Sequence, residues 1–424
     1  MAGCAELPSI RHTPPNILQQ HQHLERVGRR GDEVERLVGA PRLFVFGVNG
    51  RRPNPGDIGG LLGSRCLFPR KRVPHARSAW RSTAAKRQPT PPLILLRRDT
   101  ILSEMHKKLA FLFPGQGSQA VGMGRELADR FPAAAQTFAE ADEALGLPLS
   151  KLIFEGPEEE LRLTENTQPA ILAMSVAALR VLAAHGVEPA LAAGHSLGEW
   201  SAHVAAGTLG FADAVRAVKA RGKAMQLAVP AGQGAMAAVL ALDAALVAEA
   251  CREAEAETGL TVTAANLNSP SQTVISGALA AVERASALCK SKGARRAVPL
   301  PVSAPFHCAL MRPAQEEVAR VLSALKIADP RIPVAANVTG GMVTTAEAAR
   351  DALIRQVTSA VRWVDCVRSL VGAGAELFVE VGPGTVLCGL LRQIDPAQKS
   401  LSVEDAASLA ATLAALAAGG VSGG

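Results

Sequence analysis

Ala190-Leu191-Ala192-Ala193, running into Gly194-His195-Ser196-Leu197-Gly198, is the stretch on which the fold turns. Small apolar residues closed by a glycine read as a short buried strand. The residues after Ser196, as far as about Gly207, read as a helix. A G-x-S-x-G string between a strand and a helix is the setting of a nucleophile elbow. Glycines on both sides let the backbone take a sharp, strained turn. Ser196 becomes the nucleophile candidate. The helix behind it aims its first N–H groups and a partial positive charge at the reacting oxygen. The plain alternative is a Gly/Ser turn without chemistry.

Upstream, Leu109-Ala110-Phe111-Leu112-Phe113 is a second apolar run of buried-strand type, stopping at the turn-rich Pro114-Gly115-Gln116-Gly117-Ser118. Helical patterns fill the interval to about residue 186. Strands alternating with helices argue for an α/β domain on a parallel sheet. Downstream the pattern changes. Strands are expected at 234–242, 260–267, 272–276 and 294–300, with helices at 243–257 and 278–292. That β-α-β-β-α-β order is ferredoxin-like. It places a small domain at 231–302, inserted into a large hydrolase-like α/β domain made of 105–230 and 303–400. The large domain resumes with a helix at 311–325, a strand at 332–338, helices through 345–373, and a last strand at 376–381. Residues 401–424, rich in Ala and Gly, are expected as a terminal helix that frays.

The 424 residues suffice for two or three domains, and 48% apolar with 20% charged is ordinary for a soluble globular protein. There is no tyrosine, which excludes any chemistry needing a Tyr acid. The net charge of +7 is unevenly placed. Residues 1–104 carry 18 Lys+Arg against 8 Asp+Glu, whereas 105–424 carry 27 against 30. No basic stripe or aromatic platform survives in the main body, so nucleic-acid binding is not expected. The seven cysteines have no C-x-x-C or zinc-ligand spacing and read as reduced, buried thiols. No metal site is expected. No run reaches the roughly 18 uncharged apolar residues of a membrane span, and the N-terminus has no signal-peptide core. Residues 1–104 hold 11 of the 27 prolines and little periodicity. They read as a start site set too early, with Met105 the next methionine, or as a disordered arm or a targeting peptide.

A serine nucleophile needs a base. His195 adjoins Ser196, but neighbours in a tight turn seldom face each other. His203 sits two helical turns on and reads as a packed helix residue. His185 precedes Gly186 and reads as a helix C-terminal residue, while His106 precedes the first strand. His307, after Pro305-Phe306, opens a helical region just past the insert and can project into an interdomain cleft. These readings leave the base open. An oxyanion hole needs two N–H donors. Leu197, following the nucleophile, is one candidate, and Gln116 on the neighbouring loop is the other. Arg221 alone reads as a solvated helix residue.

Together, several segments resemble the malonyl-CoA:acyl carrier protein transacylases of bacterial-type fatty acid synthesis, and are similar to the acyltransferase domains of polyketide synthases. They are Phe113-Pro114-Gly115-Gln116-Gly117-Ser118-Gln119, Gly194 to Glu199, Arg221 to Gln226, Gly232 to Ala237, Asn266 to Pro270, Pro305 to Met311 and Glu380 to Gly384. They stand in the family's order and span about 107–395. The resemblance implies Ser196 as acylated nucleophile, His307 as its base in a dyad, and a carbonyl at Gln356 orienting the histidine. It implies oxyanion donors at Gln116 and Leu197, a carboxylate clamp at Arg221, and substrate contacts at Met225, Phe306, Asn266 and Asn268. An arginine suits the clamp because its planar fork binds a carboxylate at two points. Phe306 before the histidine resembles the malonyl-preferring members, where bulk crowds an α-methyl group. The sequence departs from the family at Trp200, often Tyr, and at Ser359-Ala360, usually Asn-Pro.

The activity so implied is ping-pong transfer of malonyl from malonyl-CoA to the phosphopantetheine thiol of acyl carrier protein, without metal or bound cofactor. A monomeric enzyme of the cytoplasm is expected, or of an organelle if residues 1–104 are a transit peptide. Because such carriers are acidic, Lys290, Lys292, Arg295 and Arg296 are docking candidates. A trans-acting polyketide acyltransferase, a serine esterase and a non-catalytic carrier-binding protein are the alternatives.

Overall fold

A computed structural model describes residues 109–302 and 304–419. The expectations for residues 1–104, for His106 and for the last residues of the tail lie outside the described residues. Two strands, β1 (Leu109–Phe113) and β2 (Leu191–Gly194), precede the insert. The insert contributes β3 (Gly234–Leu240), β4 (Val262–Ser269), β5 (Gln272–Ala278) and β6 (Arg296–Pro299). The chain returns as β7 (Val334–Ala335), β8 (Met342–Val343), β9 (Leu377–Val381) and β10 (Lys399–Val403).

The large sheet has the order β10-β9-β1-β2-β7-β8. It is parallel except for β8, which runs antiparallel to β7. All five β1 residues are buried, as expected for a strand covered on both faces. Leu109, Phe111 and Phe113 pack into one core cluster, with the helices Thr164–Ala184 and Phe211–Leu227. Ala110 and Leu112 pack into the other, with Trp363 and Leu387. The helix Thr164–Ala184 has the length and hydropathy of a membrane span, but 78% of its apolar window is buried inside the protein. It is the spine of the first layer.

The small sheet has the order β4-β5-β3-β6, antiparallel throughout. This is the ferredoxin-like arrangement, and the helices Ala244–Thr258 and Leu279–Ser291 supply its buried face. The small sheet joins the large domain at β4. Leu267 N–H donates to Val361 O (2.9 Å) and Val361 N–H to Ala265 O (2.8 Å), so the edge of the small sheet is stitched to the large domain.

Three expectations need correcting. Residues 376–381 do not hold the last strand: β10 extends the parallel sheet, paired along β9 from Lys399↔Leu377 to Val403↔Val381. An edge strand with only Val403 buried carries little apolar signal. The chain beyond is not a frayed tail as far as it is described. Leu409 and Leu416 of the helix Ala406–Gly419 are core residues, and Thr412 Oγ1 donates to Ser402 O at 3.0 Å. The long strand expected at 332–338 is also only two residues, because the chain turns at Asn337 to build the site.

Candidate active site

The elbow forms as the sequence dictates. β2 ends at Gly194, the helix Leu197–Ala205 begins at once, and Ser196 between them has φ 51° and ψ −101°. A non-glycine residue held there costs about 1–3 kcal/mol. Close approach is the reason for the first glycine: a Cβ on Gly194 would stand 1.9 Å from the carbonyl carbon of Gly198. The strain is held by two buried side chains. Asn337 Oδ1 accepts the Ser196 N–H (2.7 Å), while its Nδ2 donates to Gly194 O (2.8 Å). Gln356 Nε2 donates to Ser196 O at 2.9 Å.

His307 also has positive φ, 60°. Its Nε2 lies 2.7 Å from Ser196 Oγ and its Nδ1 2.9 Å from the backbone oxygen of Gln356. A carbonyl can only accept, so Nδ1 carries the proton and Nε2 is left bare to receive one from the serine. Burial, reinforced by the nearby Arg221 charge, holds the imidazole down to about 3, so it is neutral in the empty site. The other described histidines do not compete. His185 caps its helix, with Nδ1 against Val181 O (2.8 Å), and His203 faces Thr208 Oγ1 (3.3 Å). His195 turns away from Ser196 to Asn268 Oδ1 (2.8 Å), joining the elbow to the insert.

Arg221 is not a solvated helix residue. It is 1% exposed. Its Nη1 donates to Gln168 Oε1 (2.6 Å), and its Nη2 to Gln356 Oε1 (2.8 Å) and to Ser196 Oγ (3.2 Å). Burial lowers its pKa to about 10, the Glu199 charge offsetting part of the effect, and it remains a cation. Leu197 is the first residue of its helix, where an N–H has no intrahelical acceptor. The Gln116 loop is close to the elbow, since a Cβ on Gly115 would meet His195 O at 2.4 Å. Gln116 Oε1 accepts from Thr164 Oγ1 (2.6 Å), and Gln168 Nε2 donates to the same hydroxyl (3.2 Å).

Of the remaining candidates, Met225 is buried and its sulfur faces Gln168 Nε2, Phe306 is buried next to His307, and Asn266 bridges to Val361. Lys292 is engaged by Glu249 (2.9 Å) and Glu253 (2.8 Å), which makes it a poor docking residue. Lys290, Arg295 and Arg296 are exposed. The two arginines line an open groove of about 380 Å³ with Ser271, Gln272 and Gln393.

Three network residues escaped the sequence reading: Gln168, Asn337 and Glu199. Glu199 is fully buried, and its Oε2 accepts from Gln356 Nε2 (2.6 Å) and Asn337 N–H (3.0 Å). Burial pushes its carboxyl up to about 7 in spite of those bonds and of Arg221. Its position three residues after the nucleophile, in the quoted elbow string, was the available signal.

A profile of the acyl transferase domain family matches residues 110–412. The malonyl CoA-acyl carrier protein transacylase of Escherichia coli (strain K12) is 50% identical over 307 residues, 72% of this chain and 99% of that protein. The chain belongs to the malonyl-CoA:acyl carrier protein transacylase family. Among solved structures, an acyl carrier protein S-malonyltransferase from Vibrio cholerae is 50% identical, with TM-score 0.70 over 72% of this chain and 99% of its own. A malonyl-transacylase in complex with its type II PKS acyl-carrier protein is 48% identical, with TM-score 0.71 over 73% and 99%. At the two departures from the family, the hydrogen bonds around Ser196 and His307 are kept. Trp200 is fully buried in the elbow helix, and the Ser359-Ala360 loop still lets Gln356 O face His307 Nδ1.

Proposed function

We propose that this chain transfers malonyl from malonyl-CoA to the phosphopantetheine thiol of an acyl carrier protein through a malonyl ester on Ser196. One observation carries the reading. Ser196 Oγ lies within reach of both a neutral imidazole nitrogen (2.7 Å) and a buried guanidinium (3.2 Å). The first activates the hydroxyl, and the second is a cation where a β-carboxylate beside the reacting carbonyl would fall. An esterase would need no such cation.

His307 Nε2 takes the Oγ proton as Oγ bonds to the thioester carbon. Negative charge gathers on the carbonyl oxygen, and the N–H groups of Gln116 and Leu197 receive it, each contributing about 3–4 kcal/mol. The C–S bond breaks and the coenzyme A sulfur takes the proton from His307. The carrier's thiol repeats the sequence in reverse. Two easier transfers replace one difficult one. Arg221 holds the malonyl carboxylate, Phe306 crowds an α-methyl group, and Met225, Asn266 and Asn268 border the substrate. Catalysis is shared between the large domain, 105–230 with 303–400, and the insert, 231–302. Arg295 and Arg296 suit an acidic carrier. A carrier of polyketide synthesis fits the same chemistry, and a type II PKS carrier is bound to one of the related enzymes.

Intact mass after mixing with malonyl-CoA tests the reading. A malonyl adduct is expected on the wild type, none on Ser196→Ala, and one lowered by about 100-fold in rate on Arg221→Ala, the loss of a charge-assisted pair. Arg295→Glu/Arg296→Glu should leave the adduct intact and weaken its delivery to the carrier. An unmodified wild type would overturn the assignment.

A further inference from the structure

We propose that Glu199 is the counter-charge of Arg221 in the empty site, and that arrival of a malonyl group is coupled to uptake of one proton by the Glu199 carboxylate. This rests on the malonyl-transfer reading above. Glu199 and Arg221 are fully buried or nearly so, and a single amide joins them. Glu199 Oε2 accepts from Gln356 Nε2 (2.6 Å), and Gln356 Oε1 accepts from Arg221 Nη2 (2.8 Å). A buried guanidinium is costly without an opposite charge, and Glu199 supplies it. A malonyl carboxylate on Arg221 then puts two carboxylates around one cation in a dry site. Like charges so placed cannot both stay ionised cheaply, and one takes a proton.

Glu199 is the one that does. Its Oε1 is buried without a hydrogen-bond partner, so a proton has a vacant place there, whereas Oε2 is used twice. Its carboxyl, pushed up to about 7 by burial, is within reach of a neutral-pH proton before malonyl is added. The surrounding groups do not substitute for it. Arg221 comes from the helix Phe211–Leu227 and His307 from the loop after the insert; the latter stays neutral beside Arg221. Cys366, on the helix Trp363–Gly372, is pushed up by burial and remains a thiol. β1 and β2 bring no titratable group. On the helix Thr164–Ala184, Glu165 and Arg180 pair outward with Lys219 and Glu140. On the helix Ala346–Arg355, Arg355 pairs with Asp351, Arg350 bonds Leu325 O, and Glu347 is exposed. On its own helix, His203 is held down to about 4 by burial.

The proton balance is simple. As malonyl-Ser196 forms, one solvent proton converts the Glu199 carboxylate to the acid, and it leaves when malonyl passes to the carrier. Below about 7 the group is already protonated in the empty site, and nothing is taken up. Above it, malonyl affinity falls with rising pH, by at most about tenfold per pH unit, the limit for one coupled proton.

The test is proton uptake during single-turnover acylation, followed with an indicator dye in weak buffer, alongside intact mass. At about pH 8, uptake with malonyl-CoA should exceed that with acetyl-CoA by close to one proton per acyl-enzyme, since the released thiol is the same and acetyl has no carboxylate. The excess should vanish near pH 6 and in Glu199→Gln, and in that variant KM for malonyl-CoA should lose its dependence on pH while that for acetyl-CoA is flat in both. Malonyl-enzyme forming with no excess proton, or with the same excess in Glu199→Gln, overturns the inference and leaves the function standing. Should the variant not fold, the malonyl–acetyl and pH comparisons on the wild type decide alone. Absence of any malonyl-enzyme overturns the functional reading and this inference with it.

Discussion

The two halves of the proposed dyad reach the same kind of backbone strain by different routes. Ser196 and His307 are both non-glycine residues at positive φ, 51° and 60°. On the serine side the strain is enclosed by regular structure adjacent in the chain: a buried strand ends two residues before, a helix starts one residue after, Gly194 lets them touch, and Gly198 lets the helix close on Phe113 O. On the histidine side no such frame exists. His307 follows the insert and precedes a single 3₁₀ turn, Ala309–Met311. It is fixed by the carbonyl of Gln356, 49 residues on. The nucleophile's geometry is therefore encoded locally, and the base's geometry by tertiary contacts.

The sharpest test is whether the two sides act as one unit. Ser196→Ala and His307→Ala should each lower the malonyl-transfer rate by roughly four to six orders of magnitude, and the double variant should be no worse than the poorer single one. Malonyl transfer from malonyl-CoA to the carrier, followed by the carrier's mass, would show it. Additive losses would mean that the 2.7 Å contact is incidental and the halves work separately.

A smaller effect probes the local half. In Gly194→Ala the new Cβ would press on Gly198, and backbone cannot yield as a flexible side chain can. Overpacking of this kind costs about 1–3 kcal/mol in stability. A displacement of the nucleophile by about 1 Å lowers the rate about 100-fold. Thermal unfolding with kcat/KM for malonyl-CoA reads both. A variant with wild-type activity would show that the elbow does not depend on the strand–helix closure.

This asymmetry decided what could be read from sequence. Ser196 was legible because strand, glycines and helix are contiguous, and the insert because β-α-β-β-α-β has a strong order of elements. His307 was one of five candidate histidines until the family resemblance separated it. The role of Gln356 rests partly on a backbone oxygen, which every residue has. Gln168, Asn337 and Glu199 act through bonds to groups 53 to 157 residues away, which no local pattern records. On its own Arg221 reads as a solvated helix residue, and only the family resemblance marked it as a clamp, because tertiary packing and not local pattern turns its face inward. β10 was missed for the opposite reason: its pairing is regular, but its residues are half-exposed and polar.

The smallest effect sharpens the comparison most. Asn268 Oδ1 receives a bond from His195 Nε2 at 2.8 Å, so the insert reaches the elbow one residue before the nucleophile. If the elbow is held by its own strand and helix, with Asn337 and Gln356 fixing its polar groups, that bond is dispensable to Ser196. Asn268→Ala should then slow acylation by only a few-fold, in line with about 1 kcal/mol for one neutral hydrogen bond. Delivery to the carrier should suffer no more than acylation, because Ser269, the next residue, still ties the insert to the large domain through Gln393 at 2.8 Å. A loss near that of Gly194→Ala would show instead that the insert clamps the elbow. The nucleophile would then depend on tertiary contacts as the histidine does, and the distinction between the two sides would fail.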